Sequence, residues 1–512
     1  MLLLRRSNQP LRQQKSPPVK KAAVVVLLAL FALVAVLAVN TWRNGSRQIA
    51  VAAVAPLRMD EAAAAQRLAG AVRIATVSSL TDPKASAAEF EKMHRHLETS
   101  FPLVHRQLKR ERVGAEGNGD YALLYTWPGR DPAAKPVLLM AHMDVVAVDA
   151  ASQSQWQQAG FSGVIKDGFV WGRGAWDNKS NLMSQLEAIE TLLAAGFVPR
   201  QTVMLFSGAD EEVDGLRGAS AAAALLKQRG VRPDFVLDEG LVVAQGVIPG
   251  VAAPAALIGI TQKGYMTAEL SVSLPKGGHS SMPPRESVIG ILAAGLARLQ
   301  ENPYETRLAG APARMLEHLG PEMGFPNNVV MANLWLFRPL VASKLAASDT
   351  TRPQLHTTTA ITVVEGGIKD NVLPSRAQAL VNFRILPGET SDSVIEHIRK
   401  AVNDPRITVA KPKQSVFEPT RVASTESAGY RAIEKSIREV FPTSVVAPGL
   451  FTARADAGYF DSLADNVYLF SPVRMGPEDG ARFHGVNERI AVSNYIEMIN
   501  FYARLLRNAA GR

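Results

Sequence analysis

Five short segments of this chain set His, Asp and Glu where apolar runs give way to loops. The first, LLMAHMDVV, holds His142 and Asp144 two apart, so on a strand both side chains face one way. One could bind a metal while the other orients it by hydrogen bond; alone, the pair also reads as two polar groups satisfying each other. In WGRGAWDNKS, Gly172 and Gly174 permit a sharp turn and Asp177 stands at the entry to the next helix. There an Asp alone reads as an N-cap. FSGADEEVDG carries adjacent carboxylates, Glu211 and Glu212. Such a pair needs a cation or solvent, so it fits either a metal ligand beside a general base or a solvated acidic loop. FVLDEG places Asp238 and Glu239 at another strand end, and ARFHGVNERI sets His484 between a Phe and a Gly.

Taken together, two histidines and at least four carboxylates make a nitrogen-and-oxygen metal site. The donor supply suits two metals bridged by one carboxylate, about 3.5–4 Å apart. The chain has no cysteine, which excludes disulfides, thiolate nucleophiles and thiolate-held metals.

These segments need a scaffold. The 512 residues suggest two or three folding units. Apolar runs at 137–140, 203–206, 235–237 and 467–470 read as buried strands, with a helix over 179–195 closed by Gly196. Helices are expected at 57–77 and 86–108. His94 and His96 in the second point in different directions and read as solvated. The alternation predicts an α/β sheet, whose strand carboxyl ends are where such sheets bind ligands. Residues 261–416 change rhythm. Alternating segments at 266–274, 357–364 and 379–385, with helices at 285–299 and 391–402, give a β-α-β-β-α-β order that fits a small ferredoxin-like domain. Residues 302–356 interrupt it as a long insertion without an assigned place.

The net charge is +9, yet Arg5, Arg6, Arg12, Lys15, Lys20, Lys21, Arg43 and Arg47 all lie in the first fifty residues, which hold no acid. Without those eight the body stands at +1, and no basic stripe argues for nucleic acid. The basic end precedes an unbroken apolar run at 22–39, with Trp42 just beyond it. That pattern reads as a single-pass signal anchor with a cytoplasmic amino terminus and an exported body. A cleaved signal peptide is the rival, but the run is long for one and its small-x-small sites lie inside it.

The order of the five segments resembles the zinc exopeptidases of metallopeptidase clan MH, which include aminoacylase, carboxypeptidase S, carnosinase and succinyl-diaminopimelate desuccinylase. Seven motifs match in order from about residue 57 onward. The likeness is greatest to carboxypeptidase S and the secreted N-acyl-amino-acid synthase/hydrolase, which share an amino-terminal export segment and a long insertion. The resemblance implies an α/β zinc-exopeptidase (phosphorylase/hydrolase-like) catalytic domain with an inserted ferredoxin-like α+β lid and dimerisation domain, after one transmembrane helix. The expected division is a basic tail at 1–21, an anchor at 22–41, a linker at 42–56, catalytic parts at 57–260 and 417–512, and the lid at 261–416.

By that resemblance two Zn2+ ions, or Co2+ or Mn2+ in their place, are held by His142 and Asp238 on one side and by Glu212 and His484 on the other. Asp177 bridges them, Glu211 is the general base and Asp144 orients His142. Glu239 competes with Asp238 for its position. LPKGGHSSMPP supplies His279, which in relatives polarises the substrate carbonyl, often across a dimer interface. GGIKDNVLPSRAQALVNFRILPG supplies Asn371 and Arg384, the latter suited to a free carboxylate. The Pro-Gly segment puts Gly449 in the substrate pocket. Two departures stand out: Asn178 follows the bridging Asp where a second Asp is common, and ARADAGYF keeps Asp456 without the usual Thr before it, leaving Arg454 to compensate. The implied activity is hydrolysis of an amide next to a free carboxylate, in N-acyl amino acids or short peptides, by a membrane-bound enzyme that could form a homodimer through the lid. A dipeptidase or aminopeptidase of the same family, or a metal-binding module without catalysis, are the other readings.

Overall fold

The computed structural model describes residues 18–52, 54–114, 121–413 and 415–511. Most of the basic tail lies outside them. The centre is an eight-stranded mixed sheet. Its strand order is Lys109–Val113, Ala122–Trp127, Val203–Gly208, Val137–His142, Phe235–Ala244, Asn466–Met475, Ala255–Gln262 and Val445–Phe451. The middle three, Val203–Gly208, Val137–His142 and Phe235–Ala244, run parallel. Every residue of Val137–His142 and Val203–Gly208 is buried, which is why these strands read as unbroken apolar runs and not as alternating ones.

Helix Lys179–Ala194 packs between strand Val137–His142 and the last helix, Val492–Ala510, which also meets Ala428–Val440. Residues expected to form two long helices give three shorter ones, Glu61–Val72, Ala87–Ser100 and Pro102–Gln107. His94 and His96 are not solvated. Each gives its Nε2 to a backbone carbonyl, of Tyr121 and Arg67 respectively, at 2.8 Å. The two directions are both inward, because this helix is covered on two sides by neighbouring chain.

After Gln262 the chain leaves the large sheet. Strands Thr358–Gly366, Arg376–Ile385, Gly264–Ser273 and Thr408–Ala410 form a separate antiparallel sheet in that spatial order. Strands Gly264–Ser273 and Arg376–Ile385 bury alternate residues. Their inward side chains, such as Met266, Leu270 and Phe383, close a core of their own with Ile291 and Leu292 of helix Val288–Glu301 and Ile398 of Ser391–Val402.

Residues 302–356 do not extend that small sheet. Their helix Gly310–Leu319 packs on edge strand Val445–Phe451 of the large one, where Leu319 and Met323 join Val445 and Ala447. Two further helices follow, Asn327–Ala332 and Leu334–Ala346. The amino-terminal helix, Pro18–Arg43, is long and apolar enough to cross a membrane over Ala22–Arg43. Beyond it Gln48 pairs with the backbone of Val446 through both ends of its amide, at 2.6 and 3.0 Å, so the following stretch is tied to the sheet edge.

Candidate metal centre

The cluster forms where the parallel strands end. His142 closes Val137–His142, and its Nδ1 lies 2.9 Å from the carbonyl of Asp144 and 3.4 Å from its carboxylate. Asp144 is fully buried and does a second job: its two oxygens accept the backbone N–H groups of Glu211 and Glu212 at 3.2 and 3.1 Å. One carboxylate thereby fixes both an imidazole and the turn that presents the glutamate pair. Burial pushes Asp144 up, but the hydrogen bonds and charge of His142 hold it below the ordinary carboxylate range.

Asp177 stands between the two histidines. Its Oδ1 lies 3.2 Å from His142 Nε2 and its Oδ2 2.8 Å from His484 Nε2. It is not a cap. Asn178 occupies the N-cap position and the Asp177 carboxylate turns into the cluster. The Asp177–Asn178 peptide is cis. Glu212 approaches His484 Nε2 to 3.2 Å, while Glu211 and Glu239 lie 4.0 and 3.5 Å from His142 Nε2. Donor atoms of His142, Asp177 and Glu212, and again of His142, Glu211 and Glu239, fall within 4.8 Å of one another.

The fourth segment behaves differently from its expected role. Asp238 directs one oxygen to the N–H of Glu239 and the other to that of Ala457, both at 2.8 Å. Glu239 is the member that reaches His142, and the Asn178 side chain donates to its other oxygen. Strand Phe235–Ala244 shifts register against Asn466–Met475 just after Asp238, and of the pair it is Glu239 whose carboxylate comes to 3.5 Å from His142 Nε2.

Such crowding of acids has electrostatic consequences. Burial, then repulsion from Glu239, raises Glu211 well above the ordinary range. Burial and Asp177 push Glu239 up to about 8. Burial alone would lower His142, but Glu239, Asp144 and Asp177 hold it well above its usual value. Among the described residues, the buried atoms His142 Nε2, Asp177 Oδ1 and Glu212 Oε1 in the centre have no hydrogen-bond partner. Orphaned lone pairs converging among mutually repelling carboxylates fit divalent cations.

Glu488 is a residue the sequence reading passed over. It is fully buried and gathers the N–H groups of Gly174, Trp176 and Asp177 onto one oxygen at 2.8–3.1 Å. Its other oxygen pairs with Arg173, which donates in turn to the carbonyl of His484. It thus joins the loop bearing Asp177 to the loop bearing His484. The available signal was an acid four residues after His484, within a segment already singled out.

Of the remaining expected residues, His279 and Asn371 lie at a two-stranded ribbon, Arg384 on the small sheet, and Gly449, Arg454 and Asp456 on or just after edge strand Val445–Phe451 of the large sheet. His279 and Asn371 adjoin each other where Gly278–His279 pairs with Val372–Leu373. Neither forms a hydrogen bond or ion pair with the cluster among the described residues. His279 is exposed and bonds Ser281 Oγ at 2.8 Å; Asn371 Oδ1 is buried without a partner. Arg384 lies half-buried with its guanidinium 4.8 Å from the Tyr265 ring centre, and burial, with Arg454 pushing the same way and Tyr265, Asp214 and Glu211 opposing, sets it below its usual value. Arg454 packs 3.7 Å over the Phe417 ring, donates to the carbonyl of Asp214 and leaves its buried Nε unpartnered. Asp456 is buried with neither oxygen hydrogen-bonded, and Arg454 makes no ion pair with it among the described residues. Gly449 is buried in edge strand Val445–Phe451, where a Cβ would stand 2.6 Å from Leu241.

Comparison with known proteins agrees with this geometry. The chain is 42% identical over 444 residues to the N-fatty-acyl-amino acid synthase/hydrolase PM20D1.1 of Danio rerio, covering 86% of this chain and 84% of that one. It is 35% identical to the "Probable carboxypeptidase S-like 2" of Dictyostelium discoideum, covering 98% and 96%. Among solved structures, the M20 family metallo-carboxypeptidase Sso-CP2 of Sulfolobus solfataricus superposes with a TM-score of 0.64 at 20% identity, over 88% of this chain and 99% of that one. Human carnosine dipeptidase 1 follows at 0.60 and 17%, over 88% and 97%. Residues 138–508 match the family described as Peptidase family M20/M25/M40, and the chain belongs to that family, as an amide-bond metallohydrolase.

Proposed function

We propose that this chain is a dinuclear zinc hydrolase, held in a membrane by its amino-terminal helix, that cleaves amides next to a free carboxylate in N-acyl amino acids or short peptides. One observation carries the reading: both imidazoles converge on opposite oxygens of the single carboxylate Asp177, with acids on either flank. One ion would be held by His142, Asp177 and Glu239, with Glu239 taking the place expected of Asp238. The other would be held by Asp177, Glu212 and His484. When bound, such ions supply Lewis acidity toward a water and toward the substrate carbonyl.

The chain's own groups do the rest. Glu211, raised by burial, accepts the proton of the attacking water and returns it to the leaving nitrogen. Asp144 keeps the Glu211–Glu212 turn and the His142 ring in position. Arg384 receives the substrate carboxylate; Glu211 and Arg454 lie close enough for their charges to act on its guanidinium. His279 and Asn371 polarise the carbonyl after closure of the small sheet, or from a second subunit in a homodimer built through that ferredoxin-like lid. The likeness to an N-fatty-acyl-amino acid synthase/hydrolase supports an acyl chain on the substrate nitrogen.

The test is zinc per chain by elemental analysis of the purified full-length protein, with turnover of N-acyl amino acids beside their methyl esters. Close to two ions, and release only from the free acids, is expected. Two ions with equal turnover of the esters would remove the carboxylate from the reading.

A further inference from the structure

The insertion at 302–356 meets the amino-terminal helix in a manner that fixes its depth. Leu33, Leu37, Asn40, Thr41 and Asn44 are half-buried while their neighbours on the helix are mostly exposed, a stripe with the helical period. It faces helix Asn327–Ala332. Asn333, fully buried, accepts from the Asn40 amide at 2.9 Å and donates to the carbonyl of Leu37 at 3.2 Å. The stripe from Leu33 to Thr41 runs roughly 12 Å along the axis at about 1.5 Å per residue. Leu33 and Leu37 belong to the apolar run itself. If that run crosses a bilayer, whatever packs against them sits at the same depth.

The outward surface of the insertion suits that depth. Helix Leu334–Ala346 turns Leu334, Phe337, Val341 and Leu345 into a small core. Its opposite face is apolar too, with Trp335, Leu336 and Leu340 at 60%, 40% and 51% exposure, and Phe325 nearby at 85%. A helix apolar on every side is ordinarily enclosed, and a continuous exposed apolar patch marks an interaction surface. No acid occurs between Met323 and Ser348, whereas Arg338 and Lys344 are exposed there. Aromatic and aliphatic side chains flanked by cations are the composition of an interfacial helix.

We propose that helices Asn327–Ala332 and Leu334–Ala346 dip into the outer face of the bilayer that the amino-terminal helix spans, with Phe325, Trp335, Leu336 and Leu340 among the lipids and Arg338 and Lys344 at the phosphates. This rests on reading Pro18–Arg43 as a membrane span. A soluble protein partner is disfavoured because the span itself leaves the structure through this patch. Since the insertion also packs on edge strand Val445–Phe451, the hydrolase stands fixed on the membrane surface and does not swing on a tether.

The absence of cysteine makes the test direct. Full-length Trp335→Cys, Leu340→Cys, Leu28→Cys and Ala133→Cys, each labelled with an NBD fluorophore, are reconstituted into phosphatidylethanolamine–phosphatidylglycerol vesicles. Labels at 335 and 340 should be blue-shifted, several-fold less quenched by iodide than the label at 133, and quenched by lipids spin-labelled near the glycerol. The label at 28 should be quenched by lipids spin-labelled deep in the chain. Lipid contact at 28 with free iodide access at 335 and 340 overturns the docking while leaving the span intact. Free iodide access at 28 overturns the span and the docking with it.

Discussion

At the mouth of the large sheet, His142, Asp144, Asp177 and Glu488 are at most 4% exposed, and each is held by a second group. On the ribbon joining Gly278–His279 to Val372–Leu373, His279 is exposed and its side chain bonds its near neighbour Ser281. The two poles of the proposed site are therefore built to different standards. At the proposed metal-binding pole the acids repel one another, and backbone N–H groups brace Asp144, Asp238 and Glu488 in place. The proposed substrate pole stands beside a separate core. The contrast teaches where each kind of damage should appear: in metal and turnover at the first pole, in substrate selection at the second.

The largest effect is expected at Glu211. Glu211→Gln keeps the shape and removes the proton acceptor, so kcat should fall by about 10²–10⁴-fold or more, with metal content unchanged by elemental analysis. Retained turnover would take Glu211 out of the mechanism. Next comes the Asp238–Glu239 pair. Glu239→Ala should lose about half of the bound metal and most activity, because Glu239 reaches His142. Asp238→Asn should retain metal but lower the melting temperature, because its carboxylate receives two backbone N–H groups. Opposite results would restore Asp238 as the metal-facing residue.

That pair also marks how far sequence could go. The strand ends, the acids and both histidines were legible because a buried parallel strand announces itself as an apolar run and the donors follow it directly. Which of two adjacent acids turns inward was not, since it depends on the backbone at an irregularity inside Phe235–Ala244, where its register with Asn466–Met475 shifts. Helix Ser391–Val402 was legible in the sequence, and the structure adds its Thr390 cap. The insertion was opaque because its partners, an edge strand and the amino-terminal helix, lie far from it in the chain. His94 and His96 misled for a similar reason: their acceptors are carbonyls of distant segments, which no local pattern encodes.

At the substrate pole the effects should be smaller and selective. Arg384→Ala should raise KM for free-acid substrates by about 10–100-fold, the worth of a charge-assisted bond, and leave metal content and melting temperature alone. An equal loss on methyl esters, measured side by side, would make Arg384 a structural cation.

The smallest effect lies where the two units meet. Lys263 is buried between strands Ala255–Gln262 and Gly264–Ser273, its Nζ 2.7 Å from the carbonyl of His356. Burial lowers it to about 7, with Arg384 pushing the same way and Glu389 opposing. In the unfolded chain a lysine keeps its proton to about 10.4. Between those values the unfolded state binds the extra proton, so stability should rise with pH across that window, by at most about 1.4 kcal/mol per pH unit. Lys263→Met should flatten this slope in urea titrations at pH 7, 8 and 9, even if its overall stability falls. A variant as steep as the natural chain would place the titrating group elsewhere.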